Sequence, residues 1–246
     1  MACIAAALAA EAKANGPLSS SWGRLLRLRN SKMGSASITD AICEDSSSLP
    51  YWMLWHLALG VEHILVYDND DGHLAVDAYD AALLRVRLEL FLREGVATLL
   101  PFGGLAGAQM TAYQDGVQRA VKAGVAFLGA LDTDKFLVPF ADKCAPAWLK
   151  KCAGQQGCGA VQVNWRFSRS NIIELDHSKS LWSNLGFDVG NPNKHTKTFA
   201  LAAAHERWLI VHNNQVRGAF HHVRDDGSRL SGASSGPFAL PEVYAG

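Results

Sequence analysis

The sequence lacks the cysteine pattern of a zinc ribbon and that of a complete disulfide framework. Its five cysteines include no Cys-x-x-Cys pair, which is a common spacing in structural zinc sites. An odd count also leaves at least one cysteine outside any set of intramolecular bridges. Cys144, Cys152 and Cys158 lie close enough in the sequence for a single bridge, and the sequence leaves open whether it forms.

The sequence also lacks a net charge and a long apolar run. Lys and Arg number 23, as do Asp and Glu, so no excess positive charge attracts nucleic acid or an anionic membrane, although a local phosphate pocket stays open. The first apolar stretch spans about eight to ten residues, whereas roughly 20 cross a bilayer, and it has no basic start of the signal-peptide kind. We therefore predict no nucleic-acid partner and leave membrane association open.

What the sequence has is enough apolar material for one core. It contains 246 residues, of which 49 % are hydrophobic and 19 % are charged, and this suits a single domain of ordinary to large size. Composition and periodicity predict a disordered or weakly helical tail over residues 1–35, a globular domain over residues 36–225 and a flexible tail over residues 226–246.

Within that domain, strand and helix patterns alternate. Apolar runs rich in branched residues predict strands, and amphipathic stretches that end at glycine predict helices. Their order indicates an α/β fold with a mostly parallel central sheet flanked by helices. The dense apolar helix before Gly60 is predicted to be buried, including Trp52, Trp55 and His56. After the fourth strand we expect a strand over AVQVNWRF, loop-rich segments, and one strand over RWLIVHNNQ.

Two of the predicted strands end in acidic clusters, at residues 68–71 and at Asp132-Thr133-Asp134. Ligands of parallel sheets bind outside the carboxyl ends of the strands. Two carboxylates this close repel each other unless a cation or a shared proton relieves them. Mg²⁺ or Mn²⁺ bound with a substrate diphosphate would do so. The simplest alternative is that the two aspartates belong to a turn or a helix cap. An aspartyl-phosphate enzyme is discounted, because that class has a Thr or Val two residues after its Asp-x-Asp motif, and Phe136 stands at that position.

Five short motifs, in order over Ala36 to Asn213, resemble glycosyltransferase family 92 and its family-2-like relatives. The first is LPYWMLWHLALGVEHILVYDND, which resembles the family's opening Trp, His, Leu-Gly-Val and Tyr-Asp-Asn. The others are AQMTAYQDGVQRA, ALDTDKFLVP, VNWRFSRSN, and KTF followed by LIVHN.

The resemblance implies a single domain of the glycosyltransferase A (GT-A) type, which is Rossmann-like. It also implies transfer with inversion of a galactose-like hexose from a nucleotide sugar, UDP-linked, to a glycan acceptor, with Mn²⁺ or Mg²⁺. At the matching positions, Asp132 and Asp134 would hold the metal and the donor's diphosphate or ribose. His212 would complete the metal or diphosphate site.

The remaining site residues are also carried over from the resemblance or placed relative to it. The Asp68-Asn69 pair would lie near the nucleoside, and Lys197 would contact the diphosphate. An inverting transfer needs a general base for the acceptor hydroxyl. We expect it in NIIELDHSK, where Glu174 is preferred over Asp176 and His177.

Three departures from the family pattern keep other functions open. Lys135 replaces the Glu after the metal motif, Tyr51 replaces the Glu before Trp52, and Ser168 replaces a Gly. A catalytically degenerate carbohydrate- or nucleotide-binding domain is the first alternative, and a nucleotidyl- or phosphotransferase is the second. The resemblance implies the secretory pathway or Golgi, whereas a chain complete as written would be cytoplasmic.

Overall fold

A computed structural model describes residues 36–40, 49–68, 79–102, 108–138, 149–150, 154–169, 188–210, 212–224 and 226–230. The α-helices described over ten residues or more are α1 (Leu49–Ala58), α2 (Tyr79–Arg93) and α3 (Ala108–Lys122), and a short 3₁₀ helix spans Ala202–Ala204. The first strands are β1 (Ala36–Asp40), β2 (His63–Asp68), β3 (Ala97–Pro101), β4 (Phe127–Ala130) and β5 (Cys158–Arg169). The later strands are β6 (Asp188–Leu201), β7 (His205–Ile210), β8 (Asn213–Val216) and β9 (His221–Arg224).

Seven of the strands form one sheet in the order β3-β2-β1-β4-β6-β5-β9. The pairings among β1, β2, β3 and β4 are all parallel, as the alternation of strands and helices predicts. The α/β class is therefore confirmed. The difference lies in β6, which runs antiparallel to both β4 and β5, while β5 and β9 are parallel. The sheet is thus mixed, and its first four strands in sheet order are parallel.

The helix α1 is the most deeply buried of the described helices. Leu49, Trp52, Met53 and Leu57 are at most 1 % exposed, which confirms that the dense apolar run packs inside the core. Gly60 adopts a φ of 103° just after the helix, a left-handed conformation that glycine adopts without a Cβ clash. Among the described residues, no helix is long and apolar enough to cross a membrane.

The prediction of one strand over RWLIVHNNQ is wrong. β7 ends at Ile210, β8 begins at Asn213, and the two pair antiparallel as a separate two-stranded sheet. His212 therefore lies in the turn and not within a strand. The sequence predicts one strand here because the chain reversal contains no glycine or proline. Glycine and proline are the usual sequence signals of a turn.

Buried polar side chains connect this hairpin to the main sheet. The Asn214 side chain donates to His205 Nδ1 at 2.9 Å and accepts from His222 Nε2 at 3.1 Å. The Gln162 amide on β5 donates to Asn213 Oδ1 at 2.8 Å. Burial, and next the charge of Arg217, lower the pKa of His205 from 6.5 to about 4, so His205 is neutral at physiological pH.

Gly129 shows how closely β4 and β6 pack. A Cβ at this position would come within 2.6 Å of Phe199 Cδ1, well inside van der Waals contact. The ring of Phe199 lies across the glycine with which it is paired in the sheet. This contact fixes the register of β6 against β4. Gly129 lies three residues before Asp132.

Candidate active site

Asp132 follows the carboxyl end of β4, and three side chains donate to one of its oxygens. Oδ1 accepts from Lys197 Nζ at 2.8 Å, from Gln109 Nε2 at 3.0 Å and from the Tyr113 hydroxyl at 3.3 Å. Among the described residues, no donor reaches the other oxygen, Oδ2. The carboxylate is therefore held in one orientation, with one oxygen engaged by the protein.

The sheet register brings Lys197 to this carboxylate. Because β6 is antiparallel to β4 and Phe199 pairs with Gly129, Lys197 lies level with the first residue after β4. Its side chain is 3 % exposed, and that of Asp132 is 30 % exposed. A buried ammonium requires a counter-ion nearby, because an unpaired charge is costly to remove from water. Asp132 supplies that counter-ion.

Gln109 and Tyr113 belong to α3 and donate to the same oxygen of Asp132 as Lys197 does. They are four residues apart, so they share one face of the helix, and Gln109 Nε2 also donates to the Tyr113 hydroxyl at 2.8 Å. Trp208 packs against the Tyr113 ring and donates to the Tyr113 backbone carbonyl at 3.1 Å. These contacts were not predicted. The signal that could have indicated them was the i, i+4 spacing of two polar residues on the helix before β4.

Asp134 is placed differently from Asp132. Its side chain is 69 % exposed and forms an ion pair with the neighbouring Lys135. The backbone turns between the two aspartates, where the Lys135 N–H donates to the Asp132 carbonyl at 2.9 Å. One carboxylate is thus held inside the site and the other lies at its solvent edge.

His212 lies near Asp132 and Lys197, in the turn between β7 and β8. Thr198 Oγ1 on β6 donates to the His212 carbonyl at 2.7 Å, and the His195 and His212 rings lie 5.5 Å apart. Burial, followed by the charge of Lys197, lowers the pKa of His212, while Asp132 acts in the opposite sense. The imidazole is therefore neutral at physiological pH, the form in which histidine can bind a metal.

The other predicted site residues are only partly described. Asp68 ends β2 at the carboxyl edge of the sheet and is half-buried, and its carbonyl accepts from the Phe102 N–H at 2.8 Å. Asn69 and Glu174 lie outside the described residues, as do Asp176 and His177. Their roles remain predictions.

The side chains at this edge suit an ion shared with a substrate better than one enclosed by protein. Within the described ranges, no group of three or more His, Cys, Asp or Glu side chains could hold a metal ion. Mg²⁺ and Mn²⁺ are often bound by only one or two carboxylates, with phosphate and water completing the shell. Asp132 Oδ2 and the exposed Asp134 carboxylate match that donor set.

No protein-family model matches the chain, and a comparison with curated proteins finds no similar sequence. The resemblance to family 92 thus rests on the motifs alone.

Solved structures give distant similarities. A 4-diphosphocytidyl-2C-methyl-D-erythritol synthase matches with a TM-score of 0.40 and 14 % identity, over 71 % of this chain and 78 % of the other. The mannosyltransferase PcManGT from Pyrobaculum calidifontis, in complex with GDP-Man and Mn²⁺, matches with a TM-score of 0.37 and 14 % identity, over 65 % of this chain.

A third similar structure is glucosyl-3-phosphoglycerate synthase from Mycobacterium tuberculosis with Mn²⁺, UDP and glucosyl-3-phosphoglycerate, with a TM-score of 0.32 and 13 % identity over 60 % of this chain. This chain spans 46 % of the length of the mannosyltransferase and 48 % of that of the synthase. Similarities of this size assign no function, so the function is inferred from the residues of this chain.

Proposed function

We propose that the chain is a metal-dependent, inverting glycosyltransferase that moves a galactose-like hexose from a UDP-linked donor to a glycan acceptor. The arrangement of Asp132 carries the proposal. It lies at the sheet edge where α/β folds bind ligands, and Lys197, Gln109 and Tyr113 hold one of its oxygens while the other receives no described donor. The motif resemblance supplies the donor class and the stereochemistry.

In this proposal each side chain at the sheet edge has a distinct task. Asp132 and Asp134 hold Mn²⁺ or Mg²⁺, which when bound supplies Lewis-acid stabilisation of the departing diphosphate. Lys197 holds Asp132 in its orientation through the 2.8 Å contact, and its ammonium adds positive charge beside the diphosphate. His212, neutral at physiological pH, is available to complete the site. The Asp68-Asn69 pair contacts the nucleoside, and Glu174 takes the proton of the acceptor hydroxyl.

The test is turnover with defined donors. The full chain is incubated with Mn²⁺, a panel of UDP- and GDP-sugars and a glycan array, and nucleotide release and glycan products are measured. We expect UDP release that depends on both the sugar nucleotide and Mn²⁺ and that falls by at least ~100-fold in Asp134→Asn. A nucleotidyl product with release of the sugar 1-phosphate would contradict the proposal and indicate a nucleotidyltransferase.

A second candidate, a donor-binding domain without catalytic activity, is favoured by one observation. Lys135 pairs with Asp134, so an ammonium competes with a metal ion for this carboxylate. Tight UDP binding without sugar transfer in the parent chain would support this candidate. The Lys135→Glu variant, which restores the acid of the family pattern, separates the two candidate functions. If the parent chain shows no turnover and this variant gains it, Lys135 is the residue that disables an otherwise complete site.

A further inference from the structure

The segment that carries the two aspartates is held from the side of α1. Residues Leu131–Val138 contain no helix or strand, so the sheet does not fix their backbone. The Lys135 N–H bond to the Asp132 carbonyl closes a turn within the segment. The positions of Asp132 and Asp134 therefore depend on what holds the backbone just after that turn.

Three side chains of α1 hydrogen-bond to this backbone. Trp52 Nε1 donates to the Lys135 carbonyl at 2.7 Å, and Trp55 Nε1 donates to the Leu137 carbonyl at 2.8 Å. The Leu137 N–H donates to His56 Nε2 at 3.2 Å. Positions 52, 55 and 56 are spaced i, i+3, i+4 and so share one face of the helix. That face binds both polar groups of Leu137 and the carbonyl of Lys135.

The chemistry of His56 makes it a permanent acceptor. Its Nδ1 lies 2.9 Å from the Trp52 carbonyl oxygen. That oxygen can only accept a hydrogen bond, so Nδ1 carries the ring proton and Nε2 accepts from the Leu137 N–H. Burial lowers the pKa of His56 from 6.5 to about 4, which keeps the ring neutral at physiological pH. The Phe136 ring stacks over His56 at 6.1 Å and meets Trp55 edge-on at 6.2 Å.

We propose that Trp52, Trp55 and His56 form a clamp that positions the Asp132–Asp134 turn for the donor. This inference rests on the proposed function, and the three side chains are positioning residues, because they contact the backbone of residues 135–137 and not the carboxylates. Fixing a residue's backbone has an entropic cost. If the clamp orders the segment when the chain folds, less conformational entropy is lost when the donor binds. Loosening the clamp should therefore weaken donor and metal binding more than it slows the chemical step.

The clamp is tested with three variants and one control in the full chain. His56→Phe keeps a ring but removes the acceptor, His56→Gln offers an amide oxygen in its place, and Trp55→Phe removes one donor from a half-buried position. His205→Phe is the matched control. His205 is also buried and neutral with a pKa of about 4, but it lies at the start of β7 and contacts Asn214.

Two readouts separate positioning from general stability. Amide hydrogen exchange of the Leu131–Val138 segment is measured without ligand, and dissociation constants are measured for UDP with Mn²⁺. We expect segment exchange to rise ~10-fold or more in His56→Phe and Trp55→Phe. The dissociation constant should rise by a similar factor, with partial recovery in His56→Gln. His205→Phe should change exchange near β7 and leave the segment as in the parent.

The outcomes distinguish the proposals. Unchanged segment exchange in both His56→Phe and Trp55→Phe would show that there is no clamp. Faster exchange with unaltered UDP and Mn²⁺ affinity would overturn the positioning role alone. A parent chain that binds neither UDP nor Mn²⁺ would overturn the proposed function and the positioning role with it, even if the exchange results revealed a backbone clamp.

Discussion

Asp132→Asn should abolish donor binding and lower the free energy of unfolding by about 3 kcal/mol, since removing one partner of a buried ion pair leaves the other charge uncompensated. The uncompensated charge is the Lys197 ammonium, which is 3 % exposed and lies 2.8 Å from Asp132 Oδ1. Asparagine keeps the shape of the side chain, so the loss reports the charge. Urea unfolding and titration with UDP and Mn²⁺ measure the two effects.

The control is to remove the ammonium as well. Asp132→Asn combined with Lys197→Met should recover most of the lost stability, because replacing both charges of a buried pair by uncharged groups is often nearly neutral. Donor binding should stay absent in the double variant. Recovered stability without recovered binding separates the structural role of the pair from its functional one. Full binding in the double variant would show that Asp132 does not hold the donor.

Acidification from pH 7 to pH 4 should weaken the fold through His56 and His205. Burial lowers the pKa of each from 6.5 to about 4. The unfolded chain takes up these two protons below about pH 6.5, whereas the folded chain resists until about pH 4. In that window unfolding consumes protons, so stability falls as the pH falls. A shift of this size corresponds to roughly 3 kcal/mol for each histidine.

Urea denaturation at several pH values between 7 and 4.5 measures this slope. His56→Gln and His205→Gln should each make the stability less dependent on pH, because each removes one of the linked protons. The two reductions should be additive, since the residues lie in different parts of the core and share no described contact. A slope in either variant equal to that of the parent would show that the histidine in question titrates alike in the folded and unfolded chains.

The parallel part of the fold could be predicted because its signals are local. Branched apolar runs such as that of β2 and glycine-terminated helices appear within windows of about 10–15 residues. β6 could not be predicted in the same way. It runs antiparallel between two other strands, and its residues 196–198 are buried although two of them are Thr and one is Lys. A lysine in the sequence predicts an exposed position, because the counter-ion that allows its burial is known only from the tertiary structure.

In the candidate site too, local sequence signals could be predicted, whereas contacts between residues distant in sequence could not. Asp132 could be predicted from its place after a buried strand, and Lys197 was predicted as a site residue through the family resemblance. The pairing of Lys197 with Asp132, 65 residues away in sequence, could not be predicted, nor could the contact of Gln109, which is 23 residues away. Trp52, Trp55 and His56 were predicted as core residues. Trp52 and His56 are fully buried, but their hydrogen bonds to residues more than 80 positions later could not be predicted. A spacing pattern identifies a helix face, whereas the segment that packs against it is set by tertiary structure.

Titration of UDP into the full chain, monitored by calorimetry first with Mn²⁺ and then with excess EDTA, tests whether the nucleotide binds at the end of β4. We expect one binding site per chain, with affinity ~10-fold or more higher in Mn²⁺ than in EDTA. No heat of binding should be detected in the Asp132→Asn, Lys197→Met double variant. Equal UDP affinity in the parent and this double variant would contradict the assignment of the nucleotide-sugar site to the end of β4.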